Sequence, residues 1–232
     1  LLITMILSST NIVQALNLQS NFGNVEFPAT GNNQAQRHFN HGIAALHSFW
    51  YPEALEAFKQ SIIADPNFVM GYWGLAMAYN QPLWEGQDKK AAIKALSNIP
   101  RSAKLTHREW DYIKAVQVLY GKGEKYLRDR AYSRAMQKIY QEYPKDLEAA
   151  CFYSLSLLGV SKNTEESLRL QIEAGAIALE VFQKNPNHPC AAHYAIHAFD
   201  KPELARLGLA SAKRYASIAP ASHHAQHMPA HI

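Results

Sequence analysis

The chain has little of what marks several protein classes. It contains only two cysteines, Cys151 and Cys190, without a CxxC spacing, which excludes a dense disulfide framework and leaves one disulfide or two free thiols open. It has no run of 18 apolar residues that would span a membrane. Its 23 Lys and Arg against 19 Asp and Glu give a net charge of only +4, without blocks of like charge, so nucleic acid is a poor candidate partner. A Gly-rich phosphate loop, a GxSxG elbow and an HExxH motif are absent as well.

What is present is a helical period punctuated by prolines. Five of them lie 34, 44, 42 and 34 residues apart, each after an apolar stretch with three- and four-residue steps: Pro66, Pro100, Pro144, Pro186 and Pro220. Because proline cannot continue a helix interior, each marks a boundary. We predict helix pairs at 35–49 and 52–64, 68–81 and 88–98, 106–120 and 124–142, 146–159 and 164–184, 190–199 and 202–218, with a sixth pair beginning near 222.

The first pair carries a known repeat spacing. Gly42, Ala54, Phe58 and Pro66 are placed as in a tetratricopeptide repeat, with a small residue where two helices touch, Ala and Phe on the second helix and Pro as its stop. We therefore predict an all-α fold, a right-handed solenoid of tetratricopeptide-like αα-hairpins over 35–232. A non-repeating helical domain is the alternative. Residues 16–34 are expected to form an extended lead-in with at most one short strand, near Val25–Phe27.

Both ends of the sequence carry expectations of their own. Residues 1–15 begin with the apolar run LLITMIL and end near Val13-Gln14-Ala15, which resembles a signal-peptidase site, so we expect a clipped export signal or an apolar segment buried elsewhere. Repeat arrays normally close with a polar capping helix, which His231-Ile232 does not provide. We expect further repeats in a longer protein, or open ends that pack on something else.

Histidine is concentrated near the end of the chain. Seven of the 11 histidines lie in the last 45 residues. Counted from the repeat prolines, His193 and His227 share one offset and His197 and His231 another, which are groove-facing offsets of the first helix in each pair. His224 and Asp200 fall on the same faces.

This arrangement predicts a transition-metal site for Zn, Cu, Fe or Ni. Imidazoles at i and i+4 present two nitrogens to one ion, and a nearby carboxylate can ligate or orient a ligand. The predicted set is His193, His197, His227 and His231, assisted by His224 and Asp200. The alternatives are histidines that bond across helices, stack on a peptide or respond to pH.

The remaining histidines are expected to have ordinary roles. His188 is predicted as a loop or cap residue and His223 as solvent-facing, and the earlier histidines are expected to serve packing or surface roles: His38, His41, His47 and His107. Cys151, Cys190 and Glu148 point toward the groove beside the histidines and are weaker candidate ligands. Free buried cysteines behave as small hydrophobes, which is the simpler interpretation.

The early groove has a different, apolar lining. It is predicted to consist of Met70, Trp73, Met77, Asn80 and Trp84. These residues form either helix–helix core or a hydrophobic groove for a peptide or small ligand.

Several stretches resemble a broad family of uncharacterised bacterial tetratricopeptide-repeat proteins that are usually predicted to be exported. The resemblance spans roughly 23–232 and is most specific in HPCAAHYAIHAFDKP and SHHAQHMPAHI. It implies an α-solenoid that continues beyond Ile232 and supplies no activity. The chain departs from the family pattern at Gln81, where His is common, and at both cysteines.

Three functions remain open from the sequence. The first is an exported repeat protein with the histidine metal site. The second is a plain interaction scaffold that binds a partner in its concave groove or polymerises through open ends. The third is a metalloenzyme, which would need an open coordination position.

Overall fold

The computed structural model describes residues 22–162 and 164–232 and is almost entirely helical there. The predicted signal segment 1–15 and the beginning of the lead-in lie outside the described residues. The α-helices are α1 (Asn33–His47), α2 (Tyr51–Ala64), α3 (Val69–Ala78), α4 (Lys89–Ser97), α5 (His107–Leu119), α6 (Lys125–Glu142), α7 (Leu147–Ser161), α8 (Ser167–Lys184), α9 (Pro189–Phe199), α10 (Ala205–Ile218) and α11 (His223–His227). A short 3-10 helix, Met228–His231, follows. None of the described helices is long and apolar enough to cross a lipid bilayer.

Side-chain caps explain where several helices begin. Asn32, Asp88, Asp146 and Ser222 each accept a backbone N–H in the first turn of the helix that follows them. Thr106 forms a reciprocal capping box with a glutamate three residues on. Each cap satisfies a backbone donor that a helix start leaves without an intrahelical partner.

The prediction of a helix over 68–81 is corrected at its end. Helix α3 stops at Ala78, and β1 (Asn80–Gln81) pairs antiparallel with β2 (Gly86–Gln87). Pro82 follows β1 directly and biases the residue before it toward extended backbone, so the helix cannot run through this point. The turn between the strands carries Trp84 and places Glu85 at a positive φ of 58°.

Helices that follow each other along the chain are mostly neighbours in space, which is consistent with a helical repeat. Within each pair the two helices contact each other, and α2, α6 and α8 also pack on the first helix of the next pair. The first helices form an inner layer in which α3 contacts α1 and α5, and α9 contacts α7. Helix α9 also returns to contact α1, which brings the first and fifth pairs together.

Most of the predicted groove residues belong to the interior. The predicted groove residues Met70, Trp73, Met77 and Asn80 are buried, and only Trp84 is exposed. Trp73, for example, packs edge-on against Phe27 and Phe152. Four of the five residues therefore form interior, which agrees with the helix–helix core that the sequence left open beside a groove for a ligand.

The lead-in packs on the helices without forming a strand among residues 23–29. Phe27 is fully buried against α1, α3 and α5. Asn24 donates its backbone N–H to the carbonyl of Asn187, 2.9 Å away. The segment thus joins the first pair to the loop before α9.

The ring of Phe58 is held between two glycines, and this sets a limit on their replacement. A Cβ at Gly74 would lie 2.4 Å from Phe58 Cδ1, and one at Gly42 would lie 2.6 Å from Cε1. Alanine normally favours a helix over glycine by about 0.5–1 kcal/mol. Here we expect Gly74→Ala to lower the free energy of unfolding by about 1–3 kcal/mol, because the buried ring must move.

Urea denaturation measures that change. The matched background is Phe58→Leu, in which the ring is gone and most of the cost of Gly74→Ala should disappear. Additive effects of the two substitutions would contradict the predicted collision.

Candidate metal centre

Three imidazoles converge at the junction of α9 and α11. His197 Nε2 lies 3.0 Å and His224 Nε2 2.9 Å from His193 Nε2, and one ligand nitrogen of each ring lies within 4.8 Å of the other two. We call these residues the three-histidine cluster. Nitrogens bound 2.0–2.1 Å from one ion lie about 2.9–3.4 Å apart, from octahedral to tetrahedral geometry. The separations from His193 fit that range.

Local sequence explains how the cluster is placed. Pro189 opens α9 at its first position, where its missing N–H costs nothing, and the helix carries His193 and His197 one turn apart. Ser222 caps α11 and also donates its hydroxyl to the carbonyl of Ser48, 3.3 Å away. That bond ties the start of α11 to the end of α1 and brings His224 to α9.

The carboxyl end of α1 fixes the orientation of His193. The last carbonyls of a helix lack intrahelical partners, and His193 Nδ1 donates to one of them, the carbonyl of His47, at 2.6 Å. Since Nδ1 carries the proton, Nε2 of the neutral ring keeps its lone pair. A backbone carbonyl holding the second nitrogen is the usual support of a metal-ligating histidine.

Phe49 covers the cluster from an unusual backbone position. It has φ 54°, and the bonds Trp50 N–H to Ala45 and Phe49 N–H to Leu46 close α1 in a Schellman motif, where glycine is usual. The centroid of its ring lies 4.3 Å from that of His193, 5.6 Å from that of His197 and 5.5 Å from that of His224. The helix end therefore places an apolar cover over the three imidazoles.

Electrostatics keep all three rings neutral. Burial and the neighbouring imidazoles lower the pKa of His193 well below its ordinary value. Burial and the neighbouring His224 imidazole lower the pKa of His197 to about 3. Burial and the neighbouring His227 imidazole lower the pKa of His224 to about 4. Neutral imidazole is the form that binds a metal, so no proton has to be displaced near pH 7.

The other predicted ligands lie in a separate group. His231 Nε2 is 3.0 Å from His227 Nε2, and His231 Nδ1 donates to Asp200 Oδ2 at 2.8 Å. His227, His231 and Asp200 are exposed. The six predicted residues thus divide into two groups. The expected long helix is absent here, because α11 ends at His227 and a 3-10 turn follows from Met228, with Pro229 in its first turn.

A second group of ligand atoms is fully buried between α1, α7 and the start of α9. Glu148 accepts hydrogen bonds from His47 Nε2 at 2.6 Å and from His188 Nε2 at 2.8 Å, and Cys151 Sγ lies 3.7 Å from His188 Nδ1. His47 Nδ1 accepts the hydroxyl of Tyr194 at 2.8 Å. We call His47, Glu148, Cys151 and His188 the Glu148 cluster; its atoms are geometrically able to hold a metal ion.

The charge of the Glu148 cluster resides on its carboxylate. Burial alone would raise the pKa of Glu148, but His47 and His188 outweigh it and hold that pKa well below its usual range. Burial lowers the pKa of His47. Both pKa shifts agree with one arrangement, in which an ionised Glu148 carboxylate accepts hydrogen bonds from two neutral imidazole N–H groups.

Cys151 and Cys190 form a disulfide that links α7 to α9. Of the two alternatives that the sequence left open, one disulfide or two free thiols, the structure has the disulfide.

Two histidines with ordinary predicted roles belong to the Glu148 cluster. His188 is the N-cap of α9, as predicted, but it is buried, and His47 hydrogen-bonds to Glu148 in addition to packing in the interior. Nothing in the sequence joined these two residues to Glu148, 101 and 40 positions away.

Other histidines have the ordinary roles expected of them. His41 pairs with Glu53 at 2.7 Å, and His223 is exposed beside Trp50. His107, Asp111 and Glu142 form a further possible ligand group at the surface, where acidic side chains commonly gather without an ion.

A cavity adjoins the three-histidine cluster on the side of His197. Its walls include Trp84, Lys162, Asp200 and His197. Trp84, predicted as a groove residue, also contacts the His224 ring with centroids 5.9 Å apart. The cluster therefore has an approach from solvent, unlike the Glu148 cluster.

Comparisons of the chain with family models, curated proteins and solved structures found no match.

Proposed function

We propose that this helical protein binds one transition metal ion through the Nε2 atoms of His193, His197 and His224. The observation that carries the proposal is the crowding of two nitrogens around one lone pair. His193 Nε2 can accept a single N–H, yet it has two Nε2 neighbours at 3.0 and 2.9 Å. One cation between the rings would use all three lone pairs at once.

The surroundings of the cluster favour a cation. The carboxyl end of α1 carries the negative end of the helix dipole, and the carbonyl of His47 at that end already holds His193. Three neutral imidazoles suit Zn, Cu, Ni or Fe, as expected for borderline nitrogen ligands. Three protein ligands leave at least one position open to water or another ligand. An open position suits a protein that stores, senses or delivers the ion.

We also propose that the chain is a tetratricopeptide-repeat protein and that it is exported. The helix pairs and the Gly42–Phe58 contact support the repeat, and the Cys151–Cys190 disulfide supports an oxidising compartment. The burial of Met70, Trp73 and Met77 weighs against a peptide-binding groove at those residues.

A metalloenzyme is the second candidate, favoured by the cavity beside His197. A small molecule in that cavity would lie next to the open coordination position. Lys162, whose ammonium also donates to the Leu83 carbonyl, lines the cavity and would attract an anionic group. Zinc-bound or iron-bound water could then act on it.

Metal binding is tested by elemental analysis of the purified protein and by calorimetric titration of Zn²⁺ into chelator-treated protein. We expect one ion per chain at this site. His224→Ala should weaken its affinity by more than about 100-fold, because loss of a supporting second-sphere partner alone costs ~10–100-fold. His223→Ala is the matched control, since it removes the adjacent exposed histidine of the same helix and should leave the affinity unchanged. Equal affinities of the two variants would overturn the proposal.

A further inference from the structure

The Glu148 cluster and the disulfide share one atom, Cys151 Sγ. The cluster gathers two imidazoles, a carboxylate and a sulfur whose ligand atoms all lie within 4.8 Å of one another, in the fully buried interior. In the bridged protein that sulfur is bonded to Cys190 and is no thiolate. The set then lacks the ligand that would make it complete for a tetrahedral ion.

We propose that reduction of the Cys151–Cys190 disulfide creates a second, closed metal site from His47, Glu148, Cys151 and His188. A dithiol reductant supplies two electrons and two protons: the S–S bond breaks, Cys151 and Cys190 become thiols, and the dithiol becomes a disulfide. Binding of the ion then releases the proton of Cys151. This site differs from the three-histidine cluster in charge, burial and ligand type.

Charge balance favours an ion at this depth. A divalent cation held by the Glu148 carboxylate and the Cys151 thiolate forms a neutral unit, which removes most of the cost of placing an isolated charge in the interior. The three-histidine cluster supplies no negative ligand and is therefore suited to a partly exposed ion. The two sites therefore bind the same class of metal in different ways: the buried site neutralises the charge of the ion with anionic ligands, and the partly exposed site has neutral ligands only.

The protons of the histidines can move to suit the ion. His47 donates from Nε2 to Glu148 when no metal is present, and its Nδ1 faces the oxygen of Tyr194 at 2.8 Å. With the proton on Nδ1, donated to that oxygen, Nε2 becomes free to ligate. Tyr194 would then support the ligand from the far side, as carbonyls and carboxylates do elsewhere.

Two cysteine variants test the proposal, because they break the same bridge and differ in which sulfur remains. Both are made in a His197→Ala/His224→Ala background, so that failure of the three-histidine site leaves this result unaffected. Cys190→Ala keeps the Cys151 thiol in the cluster; Cys151→Ala keeps only the Cys190 thiol. The parent is the His197→Ala/His224→Ala protein with both cysteines, and it is used in two forms: with its disulfide intact, and reduced by dithiothreitol and then exchanged anaerobically into reductant-free buffer. Both cysteine variants and both forms of the parent are titrated with Co²⁺.

The readout is the thiolate-to-cobalt charge-transfer absorption, which reports a Co–S bond directly. We expect it at one Co²⁺ per chain in Cys190→Ala and in the reduced parent. We expect none in Cys151→Ala and none in the bridged parent. Absence of the band from the reduced parent, with its helical circular dichroism retained, would overturn the proposal. An equal band in Cys151→Ala would overturn it too, since the thiolate would then be that of Cys190. If Cys190→Ala does not fold, the reduced parent decides the question alone.

Discussion

Glu148→Ala is expected to lower the free energy of unfolding by about 2–6 kcal/mol, because two buried imidazole N–H donors lose their acceptor. The carboxylate is fully buried and accepts the Nε2 protons of His47 and His188. Its removal leaves two imidazole donors without partners in the interior, and each buried donor that loses its bond costs about 1–3 kcal/mol. The loss should appear as a lower urea midpoint for the metal-free, disulfide-bonded protein.

Two further variants separate this effect from a general sensitivity to lost carboxylates. Glu148→Gln keeps the shape and one acceptor oxygen and should cost less than Glu148→Ala. Glu180→Ala removes an exposed carboxylate from its i,i+4 pair with Lys184 and should change stability by less than about 1 kcal/mol. Similar losses for Glu148→Ala and Glu180→Ala would show that the buried bonds contribute little.

The metal-free protein is expected to lose stability steeply as the pH falls from about 6.5 to 4. Burial and nearby imidazoles lower the pKa of His193 well below 6.5, and burial with His224 lowers that of His197 to about 3. Between those values and 6.5 the unfolded chain binds protons that the folded chain does not. Stability is therefore fully present above pH 6.5 and declines below it. His197 alone accounts for about 2 kcal/mol of the loss at pH 5, and the lowered pKa values of His193, His224 and His47 add to it.

Urea titrations in the presence of a chelator at pH 7 and pH 5 measure this loss. His197→Gln removes one of these groups and should reduce the loss between these pH values by about 2 kcal/mol. Glu148 does not interfere, because its lowered pKa places its own contribution at lower pH. A loss of the same size in His197→Gln would contradict the assignment of the pH dependence to the cluster.

The helices could be predicted closely from the sequence because their limits are set locally. Pro66 and Pro186 follow α2 and α8, and the boundaries differ from the structure by only a few residues in most pairs. There are two exceptions. Helix α3 ends early because a hairpin competes for residues 79–88, and α11 ends at His227, two residues before Pro229. Local rules of capping and proline geometry were enough wherever no such competition arose.

The metal candidates were only partly predictable. The i,i+4 relation of His193 and His197 is a helical property and could be found from spacing alone. The third imidazole is that of His224 and not those of His227 and His231, because the tie between Ser222 and Ser48 sets where α11 lies. The role of His47 could not be predicted, because its carbonyl contacts a residue 146 positions away, His193. Such contacts depend on how the helix pairs are arranged in space, which the spacing of the prolines does not specify.

The return of α9 onto α1 has a consequence for how this sequence can vary. In an open repeat array, hairpins can be duplicated or lost, because each contacts only its neighbours. Here an inserted hairpin would separate the carbonyl of His47 from His193 and the side chain of His47 from Glu148. The number of pairs between α1 and α9 is therefore fixed by the chemistry at their junction. Relatives that keep this junction should differ in their outer helices and loops, and not in repeat number.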